Sequence, residues 1–188
     1  MKRARASAML LMLAAAGCTS PQPTLYTLER SAGTPDDRVL APVAVREVNL
    51  AKYLDRPQIV RHRTGYELAY SDTERWAEPL DEMVPRVLTE DLTQRLPATR
   101  IAGAASGMVP EAERILIVNI DRFDADPDGA VVLEARWSVR SELRAGTFEK
   151  SRITVPAAST RAADLVAAMS TGLGRLGDQL AAALAAAR

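Results

Sequence analysis

Between residues 79 and 96 the apolar positions recur at steps of three and four: Leu80, Met83, Val84, Val87, Leu88, Leu92 and Leu96. That spacing predicts a helix with one buried face. Asp81, Glu82, Glu90, Asp91, Gln94 and Arg95 fall off the stripe and are expected to stay in water. Pro85 interrupts the pattern, and an internal proline costs about 3 kcal/mol, so a kink or a restart is expected there. A second stripe, Leu165, Val166, Met169, Leu173, Leu176, Leu180 and Leu184, predicts a helix over residues 159–187, with Ser159 or Thr160 as N-cap. Gly172, Gly174 and Gly177 each weaken that helix by about 1 kcal/mol, so packing on a sheet must hold it.

Elsewhere the period falls to two. Residues 25–29 and 39–48 read as strands either side of a Gly, Pro and Asp loop at 31–38, with Pro42 marking an edge or a bulge. Residues 58–63 and 66–70 read as a hairpin turning near Thr64 and Gly65. Residues 115–123 alternate, and Val131, Leu133, Ala135, Trp137 and Val139 alternate against Val132, Glu134, Arg136, Ser138 and Arg140. A third strand over 147–155 follows Gly146, and Trp137 is expected in the core. The elements sum to an α+β fold, a mostly antiparallel sheet with two long helices packed on one face.

The first 17 residues do not join that domain. Lys2, Arg3 and Arg5 precede an apolar stretch from Ala8 to Ala16. This is the layout of a signal peptide, too short for a bilayer that needs roughly 20 apolar residues. Ala15, Ala16 and Gly17 lead into Cys18, the only cysteine, in a pattern that resembles the bacterial lipobox, with Ala15 where Leu is commoner. The resemblance implies cleavage before Cys18, a diacylglyceryl thioether on its sulfur and acylation of the new amino terminus. Several chains anchor far better than one. Thr19, rather than Asp, resembles sorting to the outer membrane, on its periplasmic face. Residues 18–24, with two prolines, read as the tether, and 25–188 as a single domain. Without the first 17 residues, 21 basic side chains face 24 acidic ones, a balance that points to no nucleic-acid partner.

Catalytic chemistry finds little to work with. The single histidine, His62, sits between Arg61 and Arg63 with no acid close in sequence, and reads as an exposed strand residue. One histidine and one acylated cysteine supply neither a zinc set nor a nucleophile with its base. The stretch Asp124, Asp126, Asp128, Gly129 begins like a calcium loop, but Ala135 stands where the bidentate Glu is needed and Pro127 intrudes. It reads as a hairpin turn. No catalytic residue, metal or cofactor is assigned.

Tyr53-Leu-Asp-Arg-Pro-Gln-Ile-Val60, then Tyr66, then Trp76-Ala-Glu-Pro-Leu80, together with the lipobox, the LYTL strand, the hairpin from Phe123 to Trp137 and an Ala/Leu-rich last helix, resembles the PqiC-like family of ABC-type transport auxiliary lipoproteins. The resemblance implies an accessory role in lipid movement between the two membranes, beside an MCE-domain protein and an inner-membrane permease and ATPase. The candidate partner interface is Tyr53, Asp55, Arg56, Pro57, Gln58, Arg61, Arg63 and Trp76, whose arginines suit a carboxylate or phosphate, while burial against the first helix suits Trp76 at least as well. Self-association is expected as well. A scaffold lipoprotein of the envelope and a direct lipid carrier stand as the other readings.

Overall fold

The computed structural model describes residues 21–103, 112–141 and 144–187. Cys18 and the segment read as a signal peptide lie outside them. Eight strands form one sheet: β1 Thr24–Tyr26, β2 Val43–Leu50, β3 Gln58–His62, β4 Leu68–Trp76, β5 Ile101–Ala102, β6 Arg114–Ala125, β7 Ala130–Ser141 and β8 Arg144–Pro156. The helices are α1, Leu80–Arg95, and α2, Ala162–Ala186. They pack on each other, α1 also on β2 and β5 and α2 also on β6, β7 and β8, so both cover one face.

The fold class is the α+β expected, with one refinement. The sheet is mixed, because β1 runs parallel to β4 and β2 runs parallel to both β5 and β6. The hairpins β3–β4, β6–β7 and β7–β8 are antiparallel. β6 is the spine of the sheet, with β7 along one edge and β2, then the end of β3, along the other. Its core side chains switch parity: Leu116, Val118 and Ile120 are buried, then Phe123 and Ala125. A register shift between Ile120 and Arg122 leaves Asp121 as the extra residue and keeps the apolar set on the helix side. Across from it Val131, Leu133, Ala135 and Trp137 are buried, and the Trp137 indole donates to Ser151 Oγ at 2.8 Å.

Three local expectations change. α1 is one helix through Pro85, so it does not restart there. The proline sits in the second turn, so only the carbonyl of exposed Asp81 loses its amide, beside water. Arg161, not Ser159 or Thr160, is the N-cap of α2. The Ser159 hydroxyl instead accepts the Arg161 amide at 3.2 Å and bonds Asp164. Pro42 lies just before β2, an interior strand, and the irregularity falls between Val45 and Glu47. The predicted turn after Asp126 is present, and Gly129, at φ +87°, takes the left-handed position that favours glycine.

Candidate functional site

Phe123 and Ala125 point toward the helices, so Asp124 between them points to the other face of the sheet. Its carboxylate is fully buried and collects three donors. Tyr53 Oη reaches Oδ2 at 2.6 Å, while His62 Nδ1 and Arg122 Nε reach Oδ1, each at 2.9 Å. Arg122 also donates to Asp126 Oδ1 at 2.5 Å, and the Phe123 amide donates to Tyr53 Oη at 3.4 Å. His62 is therefore not an exposed strand residue: its side chain is 16% accessible, and its acid comes from 62 residues further along the chain. The protein's own donors occupy the carboxylate oxygens, so the cluster ties the Lys52–Leu54 3₁₀ turn and the end of β3 to β6.

Burial, then the hydrogen bond to Asp124, pushes the Tyr53 phenol above its ordinary value. A group raised in the folded state gives stability that is complete below its unfolded pKa, about 10, and is lost as the pH rises beyond it. Denaturant unfolding should therefore show the wild-type protein losing stability above pH ~10 more steeply than Tyr53→Phe. Parallel alkaline limbs for the two proteins would refute the assignment.

The sequence-derived interface residues scatter around this tie. Asp55, Arg56 and Pro57 are exposed in the turn before β3. Arg56 stacks 4.8 Å over the Tyr70 ring, Gln58 donates to Asp72 at 3.1 Å, and Arg63 pairs with Glu67 at 3.0 Å in the β3–β4 turn. Arg61 bonds Glu74 and the Thr160 carbonyl, the latter at 2.7 Å. Tyr53 is half-buried and Trp76 is core. The exposed turn and Arg63 thus lie at opposite ends of β3, and Trp76 offers no outward surface.

Sequence reasoning placed Asp91 and Arg95 in water, and the structure buries both, at 0% and 1% exposure. Arg95 Nε donates to Asp178 Oδ1 at 2.6 Å, and Nη2 donates to the Gly174 carbonyl at 2.9 Å. Nη1 reaches the carbonyls of Ser31 and Asp91, both at 3.1 Å, and Asp91 Oδ1 at 3.3 Å. Asp91 Oδ1 also accepts the Ser31 amide at 2.8 Å, while its Oδ2 is buried with no partner. Burial pushes the Asp91 carboxyl up against the pull of Ser31 and Arg95. The signal for this was the set of glycines on the second helix. A Cβ on Gly174 would stand 2.3 Å from Ser31 Cβ, and one on Gly177 would stand 3.5 Å from Arg95 Cζ. Those glycines let the guanidinium and the incoming loop lie against α2.

Residues 26–181 match the model of the ABC-type transport auxiliary lipoprotein component. The chain belongs to that family. This auxiliary lipoprotein is 25% identical over 130 residues to the intermembrane transport lipoprotein PqiC of Escherichia coli and to that of Shigella flexneri. Each match covers 65% of this chain and 66% of the relative. Two solved structures share the auxiliary lipoprotein's fold. A crystal structure of an uncharacterized protein aligns at TM-score 0.74 and 18% identity, over 87% of this chain and 99% of the other. XCC0632 of Xanthomonas campestris aligns at TM-score 0.68 and 19% identity, over 84% and 92%. Among the described residues no helix of the auxiliary lipoprotein is long and apolar enough to cross a membrane.

Proposed function

We propose that this auxiliary lipoprotein is acylated at Cys18, is held on the periplasmic face of the outer membrane, and docks an MCE-type conduit of an intermembrane lipid transport system by protein contacts. The observation that carries the reading is the match of residues 26–181 to a lipoprotein family of ABC-type transport systems, directly downstream of a lipobox-like Cys18. The anchor and tether occupy residues 18–24, and 25–188 act as one docking domain. Polar side chains that the sequence offered for chemistry, His62 and Asp124 above all, are used within the fold. What remains free to meet a partner is surface. The exposed turn of Asp55, Arg56 and Pro57 presents a carboxylate, a guanidinium and an apolar ring together, and it is the docking face favoured here.

Photo-crosslinkers at Arg56 and Pro57 of the membrane-bound protein in its native host, read by mass spectrometry, test this. An MCE-domain protein should be the main adduct. Adducts only with cell-wall or barrel-assembly proteins would replace the transport reading with the scaffold one.

A further inference from the structure

One end of the sheet carries exposed apolar side chains that the docking face does not use. Tyr66 is 93% exposed and Leu68 41%, whereas Tyr70, further along β4, lies under Arg56 of the docking turn. β1 pairs with β4 only at Glu74 to Trp76. From Leu68 to Thr73 no strand lies on that outer edge among the described residues.

The way the chain enters the fold says what meets this tip. β1 runs parallel to β4 with Thr24 level with Glu74, so the residues before Thr24 approach from the side of the hairpin turn. Cys18 lies six residues before Thr24, and Leu68 lies six residues before Glu74. Six residues of extended chain span at most ~20 Å, and six residues of strand span about the same. The tether is therefore just long enough for Cys18 to stand level with Leu68. A sulfur carrying acyl chains at that level puts the bilayer surface beside Tyr66 and Leu68. Tyrosine suits that layer, its ring among the acyl ends and its hydroxyl in water. Arg63 and Glu67 pair at 3.0 Å across the same turn, so the tip presents no net charge from that pair and its contact should depend little on salt.

We propose that the β3–β4 hairpin tip, through Tyr66 and Leu68, is a membrane-contacting surface that rests in the headgroup layer beside the acylated amino terminus. It deepens the reading given under Proposed function and rests on acylation of Cys18. With the tip on the bilayer, the Asp55 to Pro57 turn at the other end of β3 faces away from it, toward a partner arriving across the periplasm.

The test uses the processed lipoprotein purified from membranes, carrying Tyr66→Cys or, as a reference, Val39→Cys. Thioether formation consumes the Cys18 thiol, so an environment-sensitive dye labels only the introduced one. Val39 is 81% exposed and lies near Thr99 and the start of β2, at the opposite end of the sheet. In vesicles of phosphatidylethanolamine and phosphatidylglycerol, the dye at 66 should emit to the blue of the dye at 39. Lipids brominated near the headgroup should quench it severalfold more, at low and high salt alike. A dye at 66 as wet as the one at 39 overturns the proposal. So does a blue shift that bromolipids do not quench and that vanishes when the protein is diluted into excess lipid, the mark of a second copy at the tip. Intact mass of the same sample reports the acyl chains. An unacylated protein overturns the anchor reading and this one together, whereas an acylated protein with a wet tip overturns this one alone.

Discussion

Arg95→Ala should lower the unfolding free energy by about 3–5 kcal/mol, the range for breaking a buried ion pair from one side. The guanidinium holds the loop at Ser31, both helices and Asp178 at one point, and its removal takes a donor from three carbonyls and two carboxylates. Lysine should recover little, since a single ammonium cannot reproduce the planar fork that meets acceptors on three sides. The deficit should also depend on pH. The Asp91 carboxyl, already pushed up by burial, loses its cation in the variant. A carboxyl raised in the folded state binds its proton more tightly there than when unfolded, so acidification toward the ordinary carboxylate range favours folding at this site. Depressed carboxyls such as Asp121 and Asp164 act in the opposite direction, but in both proteins, and cancel from the difference. Urea unfolding at neutral and mildly acidic pH should show the gap narrowing as the pH falls. A gap that stays constant, or one below ~1 kcal/mol, would mean that Arg95 is not the tie described.

Gly174→Ala should destabilise by up to about 3 kcal/mol although alanine is the better helix former. The new methyl would meet Ser31 Cβ at 2.3 Å and Oγ at 2.7 Å, both on a loop that Asp91 and Arg95 hold in place. Gly172→Ala, two residues earlier, is the control. Its nearest neighbour, Val155 Cγ2, would be 3.7 Å away, an ordinary contact, so the variant should gain up to about 1 kcal/mol. Ser31→Gly combined with Gly174→Ala should regain most of the loss by removing the opposing Cβ. Equal melting shifts for the two alanine variants would sink the argument.

These two sites mark where the sequence stopped being readable. The apolar stripes of both helices and the alternation of β6 and β7 were legible because burial on one face leaves a fixed period, and Leu80, Leu88, Leu133 and Trp137 are buried accordingly. Asp91 and Arg95 broke the rule because a second partner, the loop near Ser31, covers a side of α1 that its own periodicity assigns to solvent. Periodicity reports one buried face and is silent about polar groups that satisfy each other. The bond between His62 and Asp124 was hidden for the same reason, since two strands distant in sequence bring the pair together. Parallel pairing of β2 with β6 left no local trace either, because no turn joins the strands. Of the candidate interface, the exposed turn at Asp55 to Pro57 could be recognised from its composition, and Trp76, which the sequence offered to the first helix as readily as to a partner, is buried.

The late arrival of β6 also sets an order of events. Val43 of β2 pairs with Arg114, and Arg61 of β3 pairs with Ala125. Neither early strand has its central neighbour until the chain has been made as far as the end of β6. A nascent chain stopped at Gly103 holds β2, β3, β4 and the whole of α1 with no spine to collect them. Contacts this distant in sequence close slowly. For as long as the spine is missing, neither β2 nor β3 can take its place in the sheet, and the first half stays open to proteases. Once β6 is in place, both early strands can dock on it and that window closes.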